Sequence, residues 1–177
     1  MSQRGKLGAI AAAQLILRPM TSADIPEVLL LEQETLGAPH WGRDQYEETL
    51  SNSNQAIRRR SWVALHSGQL VGFAVVQELT AGGEVECELE SLAVHPAVQR
   101  KGIGSALLGH VISELKDASA SLLRLEVRAS NLAARHLYRR AGFAEKGIRK
   151  NYYPAAPGSP AEDAILMELR FPRIPGT

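Results

Sequence analysis

The chain has 177 residues, of which 45% are hydrophobic, and this is long enough for one domain with a sizeable buried core. Its 20 basic and 19 acidic residues leave a formal net charge of +1, so no overall field indicates nucleic acid or an anionic membrane as the main partner. The single cysteine, Cys87, excludes an internal disulfide and a cysteine metal cluster, and it is consistent with the cytoplasm, which we expect as the location.

The segment of residues 1–14 is predicted to be a flexible tail. The apolar stretch from Leu7 to Leu17 is interrupted and is far shorter than the ~20 residues that a membrane span needs. A faint likeness to a signal peptide is set aside, because the first strand of the folded domain follows without room for a cleavage site. We therefore expect one domain over residues 15–171 and a C-terminal tail over 172–177.

The first half of the domain is predicted to hold a strand, two helices and a hairpin. In chain order, the pattern predicts a strand at 16–18, a helix from Thr21 to about Gly37, a helix at 43–50 and a polar loop at 51–60. Ser67-Gly68 is a turn signal, so the strands at 62–65 and 70–77 are predicted to pair as a hairpin. The basic run Arg58-Arg59-Arg60 is more typical of a solvated loop than of a nucleic-acid patch, so we expect no direct nucleic-acid contact.

The second half alternates strands and helices. After a turn at 80–83, a long strand is predicted from Glu84 to Val94, and its first half places Val85, Cys87 and Leu89 on one face. The remaining elements are predicted as a helix at 102–116, a strand at 122–127, a helix at 131–140 that stops at Gly142, a strand that starts at Phe143, and a last strand at 164–169. A hairpin region followed by strand–helix units predicts an α/β domain with a mixed sheet.

The other face of the long strand carries an acidic stripe formed by Glu86, Glu88 and Glu90. Such a stripe is usually a solvated strand face, but it is also what a surface for a cationic amine or a basic peptide requires. We favour the solvated face for Glu86, and both interpretations stay open for Glu88 and Glu90.

The turn from Gln99 to Gly104, hereafter the glycine turn, is a candidate phosphate site between a strand and a helix. Gly102 and Gly104 lack a Cβ, so the chain can bend tightly and approach a ligand closely. The start of the next helix offers unpaired N–H groups and a partial positive charge. The spacing alone is equally consistent with glycines that only shape a loop. A Rossmann fingerprint is excluded because Leu107 stands where it needs its third glycine.

Several segments together resemble a known family. The stretch from Glu90 to Pro96 followed by the glycine turn is similar to motif A of the GNAT-type N-acetyltransferases, whose core is Q/R-x-x-G-x-G/A. The resemblance extends through Leu125 to Asn131, Leu137 to Phe143 and Arg149 to Pro154. The Leu-Glu-Val-Arg-Ala-Ser-Asn and Asn-Tyr-Tyr-Pro segments resemble more specifically the bacterial RimI-like branch, the ribosomal-protein-alanine N-acetyltransferases.

This resemblance implies the GNAT fold, a mixed central sheet with splayed central strands flanked by helices, and it implies acetyl-CoA as co-substrate. Leu92, Ala93 and Val94 would offer backbone groups to the acetyl-pantetheine arm, and Asn131 would contact the cofactor. The pyrophosphate would be held by the glycine turn and the helix start, at Arg100, Lys101, Gly102, Ile103, Gly104 and Ser105.

The resemblance also implies two catalytic residues, Glu126 as general base and Tyr138 as general acid. Transfer to an amine requires that the amine lose its proton, that the thioester carbonyl be polarised and that the leaving thiolate be stabilised. From the residues alone, Glu126 could equally be a solvent-facing strand residue and Tyr138 a core tyrosine with a bonded hydroxyl. The five histidines show no ligand spacing, so we expect no metal site.

The implied acceptor is a peptide or protein N-terminus, the alanine of a small-subunit ribosomal protein, with no membrane partner. Two alternatives stay open, namely an acetyltransferase for a small-molecule amine and a non-catalytic CoA-binding module. Tyr152 and Tyr153 are expected either to line the acceptor groove or to pack in a β-turn.

Overall fold

A single seven-stranded sheet with helices on both faces organises the chain in the computed structural model. The structure describes residues 15–35, 41–51, 58–155, 158 and 160–172. The predicted tail at 1–14 therefore lies outside the described residues, as does the C-terminal tail except for Pro172. None of the helices in the described part of the chain has the length and apolar character that a membrane span requires.

The strands and helices follow one another in the order that the sequence predicts. They are β1 (Leu15–Pro19), α1 (Ile25–Glu34), α2 (Arg43–Ser51), β2 (Arg58–His66), β3 (Gln69–Ala81), β4 (Glu84–Val94), α3 (Ile103–Asp117), β5 (Ala120–Arg128), α4 (Leu132–Arg140), β6 (Ala144–Tyr153) and β7 (Glu162–Arg170). Single 3-10 turns precede α1 and follow β4.

The sheet is mixed, as predicted. Its strand order is β1-β2-β3-β4-β5-β7-β6, and β4 and β5 are the pair of neighbours that runs parallel. Parallel neighbours need a long crossover, which α3 supplies. The last strand, β7, enters the sheet between β5 and β6 and runs antiparallel to both.

The parallel pair β4 and β5 separates partway along its length. Pairing ends at Glu88 opposite Arg124, although β4 continues to Val94 and β5 continues to Arg128. Beyond that point β4 pairs with β3 and β5 pairs with β7. The implied splay of the central strands is therefore confirmed, and we call this region the strand divergence.

A β-bulge lies inside β4 at the strand divergence. Glu90 is its extra residue, since consecutive residues of β3 pair with the two neighbours of Glu90. Before the bulge, Leu89 belongs to the first core, under α3 and α4; after it, Leu92 and Val94 pack against that core while Ala93 belongs to the second core, under α1 and α2. The bulge reverses the facing of the strand, and its last residues are apolar on both faces because a core covers each face there.

Two apolar cores fill the opposite faces of the sheet. The first core packs α3 against the sheet through Leu107, Val111 and Leu115, and it contains the buried Cys87. The second core packs α1 and α2 around Phe73. Burial of this kind is the main favourable contribution to folding.

Three predicted boundaries are corrected. Helix α1 ends at Glu34 rather than near Gly37, which lies outside the described residues, because Thr35 turns extended and its hydroxyl donates to the Leu31 carbonyl at 2.7 Å. The predicted loop at 51–60 is wrong at both ends: Ser51 still belongs to α2, and the basic run Arg58-Arg59-Arg60 opens β2. Positions 52–57 lie outside the described residues.

The solvated-loop interpretation of the basic run is also wrong. Arg59 Nε lies 2.7 Å from Glu90 Oε2, and Arg60 Nη2 lies 2.7 Å from Glu114 Oε2. These cations are half-buried inside the domain's own ion pairs. The run therefore stabilises the packing of β2 against its neighbours.

An ion pair joins β1 to the start of α1. The Asp24 carboxylate accepts two hydrogen bonds from the Arg18 guanidinium, each 2.7 Å long, and one from the Thr21 N–H. The bonds from Arg18 are the main reason that the pKa of Asp24 falls to about 2.

We expect Asp24→Asn to lower the free energy of unfolding by about 2 kcal/mol near pH 7, because the folded state favours the ionised carboxylate. This stabilisation is present at pH values above about 3.9, the pKa of the carboxyl in the unfolded chain. It is lost as the pH falls toward the lower pKa that Asp24 has in the folded state. Urea denaturation of both proteins over that range measures it. The exposed Asp117→Asn is the matched control, and a loss that does not change with pH contradicts the assignment.

Candidate active site

The glycine turn leaves the end of β4 and leads into α3. Arg100 and Gly102 have left-handed backbones, with φ of 63° and 88°. The first hydrogen bond within α3 goes to the Gly102 carbonyl at 2.9 Å, so the N–H groups of Ile103, Gly104 and Ser105 lie at the open end of the helix. This is the backbone geometry that binds anions at helix starts.

The two glycines of the turn differ in whether the backbone conformation favours glycine at their positions. At Gly102 a Cβ would meet nothing within 4 Å, and it is the φ of 88° that favours glycine. At Gly104 a Cβ would lie 3.6 Å from side-chain atoms of Val94 and Leu137, which is ordinary contact distance. The packing of the fold therefore does not require glycine at 104.

The glycine turn is tied to the rest of the domain at its first residues. Gln99 Nε2 donates to the Val94 carbonyl at 3.0 Å, and the His95 N–H donates to the Val71 carbonyl at 2.9 Å. His95 Nε2 also lies 2.9 Å from Glu34 Oε2 at the end of α1. These contacts fix where the turn begins relative to the sheet.

The other predicted cofactor residues differ in what they present. The side chains of Arg100, Lys101 and Ser105 are exposed, whereas the Ile103 side chain is buried in the first core and leaves its backbone at the surface of the turn. Asn131 is the N-cap of α4, and its Oδ1 accepts a hydrogen bond from a backbone N–H at 3.1 Å. A cofactor contact by Asn131 stays a prediction beside this capping role.

Leu92, Ala93 and Val94 form the part of β4 that borders the strand divergence. One edge of this segment pairs with β3, while the other faces the gap left by β5. Gly72, on β3, contacts the segment so closely that a Cβ would lie 2.9 Å from the Ala93 carbonyl oxygen. Gly72 was not predicted as part of the site, although a glycine inside a predicted strand is a signal of close backbone approach.

Glu126 lies on β5, on the face opposite the first core, and is half-buried. Its Oε1 is 3.1 Å from Arg149 Nε on β6. A hydrogen bond between the Tyr152 hydroxyl and the Glu126 carboxylate is the main reason that the pKa of Tyr152 rises. Glu126 is therefore held by two partners from β6, although it lies on a partly accessible face.

Glu88 and Glu90 share the surroundings of Glu126. Burial raises the pKa of Glu88, and the charges of Glu126 and Glu90 raise it further. Glu90 accepts two hydrogen bonds from the Arg59 guanidinium, at 2.7 and 3.0 Å. Glu88 and Glu90, for which the sequence left two interpretations open, therefore differ in their partners.

Tyr138 lies on the other face, in the first core. Its ring centroid is 5.7 Å from that of Phe143, and burial raises its pKa well above that of a free phenol. The charge of Tyr153 adds to this shift, and Tyr153 in turn feels the charge of Glu126. The two predicted catalytic residues thus occupy opposite faces of the sheet. Tyr153 interacts electrostatically with both of them.

Tyr152 and Tyr153 belong to the end of β6, so the β-turn alternative is wrong. Their rings meet edge to face with centroids 5.2 Å apart. The Arg149 guanidinium lies 5.2 Å from the Tyr152 ring centroid, and the Arg128 guanidinium lies 4.0 Å from that of Tyr153. This aromatic wall adjoins Glu126, which is where an acceptor groove is expected.

Side chains of the types that bind metal ions do not cluster in the described part of the chain. No set of three His, Cys, Asp or Glu side chains there comes together in a way that could hold an ion. The carboxylates at the strand divergence are instead surrounded by arginines and tyrosines.

Residues 25–143 match the family described as the acetyltransferase (GNAT) family. Over 150 residues the chain is 40% identical to the [ribosomal protein bS18]-alanine N-acetyltransferase of Escherichia coli K12. The aligned region covers 85% of this chain and 93% of that protein.

Solved structures show the same similarity. The crystal structure of the ribosomal-protein-S18-alanine N-acetyltransferase from Escherichia coli superposes with a TM-score of 0.74 at 34% identity, over 92% of this chain and 96% of that one. The ribosomal-protein-alanine N-acetyltransferase from Brucella melitensis gives a TM-score of 0.75 at 26% identity, over 88% of this chain and 99% of that one.

Proposed function

The chain belongs to the GNAT acetyltransferase family, and we propose that it transfers the acetyl group of acetyl-CoA to the N-terminal α-amine of a ribosomal protein that begins with alanine. The observation that carries the proposal is the 40% identity, over most of both chains, to an enzyme named for that acceptor. The aromatic wall beside Glu126 supports it, since a peptide needs a groove that continues past its reacting amine. A ribosomal acceptor implies the cytoplasm as the site of action.

The proposed position of the pyrophosphate is the glycine turn. The N–H groups of Ile103, Gly104 and Ser105 supply hydrogen bonds at the helix start, and Arg100 and Lys101 supply positive charge beside them. The missing Cβ at Gly104 supports this position, because the packing of the protein does not account for it. The left-handed Gly102 is the N-cap of α3 and directly precedes the three residues that carry these N–H groups.

The strand divergence is the proposed seat of the reacting end of the co-substrate. The edge of Leu92, Ala93 and Val94 that faces away from β3 offers backbone groups to the pantetheine arm, and one N–H there would stabilise the oxyanion. Asn131, at the start of α4, would contact the cofactor from the next strand–helix junction. Acetyl-CoA supplies a thioester, which is an activated acyl group.

Glu126 and Tyr138 would handle the proton transfers. Glu126 takes a proton from the acceptor ammonium, and the freed nitrogen lone pair forms the new C–N bond at the acyl carbon. The C–S bond then breaks as Tyr138 donates its phenolic proton to the sulfur. The nitrogen loses its second proton, which restores the Tyr138 phenol, and Glu126 releases its proton to solvent. The raised pKa of Tyr138 keeps that proton in place at neutral pH, so the group is ready to donate.

A panel of hexapeptides tests the acceptor. We expect alanine-initiated peptides to be acetylated faster than serine- or methionine-initiated ones, and an alanine peptide with a blocked N-terminus to be inert. Mass spectrometry of the products locates the acetyl group. Turnover of polyamines or amino acids without turnover of any peptide would instead assign a small-molecule acetyltransferase. Binding of acetyl-CoA without transfer to any amine would assign a CoA-binding module.

Replacing Glu126 by Gln is expected to lower kcat by about 100-fold or more at neutral pH, the usual contribution of a general base. The variant should recover activity as the pH rises past ~8, where the α-amine is already neutral. Tyr138→Phe is expected to lower kcat while its melting temperature holds, because the ring that packs on Phe143 is retained. Unchanged turnover in both variants would refute these roles.

The glycine turn gives a paired stability and binding test. Gly102→Ala is expected to lower the free energy of unfolding by roughly 1–2 kcal/mol, the usual penalty of a left-handed alanine. Gly104→Ala should fold as stably as wild type yet bind CoA about 10-fold or more weakly by calorimetry, because the new methyl group fills the ligand's space. Gly109→Ala, on the same helix with open space around its Cβ, is the control that keeps wild-type affinity.

A further inference from the structure

The carboxylates at the strand divergence differ in their partners. Glu126 has Arg149, and Glu90 has Arg59, each within ion-pair distance. Among the described residues, Glu88 has no cation within that distance. The charges of the other two acids act on it, and it is half-buried.

The surroundings of Glu88 disfavour the negative charge of its carboxylate. Its pKa is raised first by burial and then by the negative charges of Glu126 on β5 and Glu90 on β4. Arg124 and Arg149 act in the opposite direction, but the guanidinium of Arg124 contacts Glu86 and that of Arg149 contacts Glu126. The residue of β3 that pairs with Glu88 is Gln77, which is neutral and accepts a hydrogen bond from Arg59.

The ionised Glu88 therefore lowers the stability of the folded domain. A carboxylate whose pKa is raised on folding opposes folding at pH values above that pKa, where it is charged. A glutamine of the same size would avoid this. A residue that is unfavourable for the fold and lies in a candidate active site calls for a functional reason.

The position of Glu88 supplies that reason. It is the last residue of β4 to pair with β5, so it lies where the strands begin to separate. It is close enough to Glu126 for the two charges to interact, and it occupies the face of β4 opposite Leu89 and the first core. A positive group that approaches Glu126 on this face also approaches Glu88.

We propose that Glu88 binds the ammonium group of the acceptor and so selects substrates with a free, positively charged amine. This assignment rests on the proposed function. The acceptor itself supplies the counter-charge that Glu88 lacks, and binding orients the nitrogen beside Glu126, which then removes the proton. Glu88 acts on binding and specificity, whereas Glu126 acts on the chemical step.

The test compares Glu88→Gln with Glu84→Gln, the matched control, an exposed acid at the start of the same strand and on the same face. For an alanine-initiated peptide, Glu88→Gln should raise KM by about 10- to 100-fold, the worth of a charged hydrogen bond, and leave kcat within a few-fold. Its melting temperature should not fall below that of wild type. Glu88→Asp, which keeps the charge, should regain part of the lost KM.

The pH profile gives a readout that a purely structural residue would not affect. Below about pH 7 the acceptor amine is already charged, so a change in KM there reports on the enzyme. Wild-type KM should rise as the pH falls and Glu88 is protonated. The Glu88→Gln profile should be flat in that range, while that of Glu84→Gln should follow wild type.

Calorimetry in the presence of CoA removes the dependence on catalysis. Wild type should bind the alanine-initiated peptide about 10-fold or more tightly than its desamino analogue, and Glu88→Gln should bind the two equally. The assignment is overturned if Glu88→Gln has the KM of wild type. It is also overturned if the melting temperature of Glu88→Gln falls while the variant still binds the peptide more tightly than the desamino analogue. Failure of the proposed function is a different result, in which wild type itself acetylates no peptide.

Discussion

The separation of β4 from β5 is the constraint on which the rest of the structure depends. Two parallel strands that pair only as far as Glu88 and Arg124 leave backbone edges in the middle of a sheet, where buried polar groups need partners. The outer edges of the two strands are paired, β4 with β3 and β5 with β7, so the unpaired groups are confined to the two edges that face the gap. The bulge at Glu90 turns the end of β4 so that its apolar side chains still reach a core.

The same separation divides the proposed reaction between two faces of one sheet. The phenol of Tyr138 is in the dry first core with α3 and α4, the face from which the glycine turn also emerges. The carboxylate of Glu126 and the aromatic wall of β6 occupy the other face. A gap through the sheet lets groups on both faces act on one bond, which a continuous sheet would prevent.

Local pattern predicted the elements well where each signal was contained within a few residues. The extent of β4, from Glu84 to Val94, followed from its alternation and from the glycine pair before it, and α3 followed from its apolar spacing. The insertion of β7 between β5 and β6 has no local signal, since it depends on pairing between distant segments. Arg59 was misplaced for the same reason, because its partner Glu90 is 31 positions away.

The candidate site shows the same limit. Motif resemblance led to Glu126 and to the glycine turn, but the partners of Glu126 come from β6, whose position depends on β7. Whether Glu88 or Glu90 faces a counter-charge could not be read from an alternating run of glutamates. That difference follows from the bulge and from the place of Arg59 on β2.

The buried Cys87 has a practical consequence for measuring this enzyme. It carries the chain's sole sulfhydryl, and burial raises its pKa to about 12, so the reactive thiolate form is scarce at neutral pH. Ellman-type reagents added during turnover would therefore titrate liberated coenzyme rather than the polypeptide. Continuous colorimetric recording becomes feasible without mutating the protein, and mixed disulfides with the released product are disfavoured.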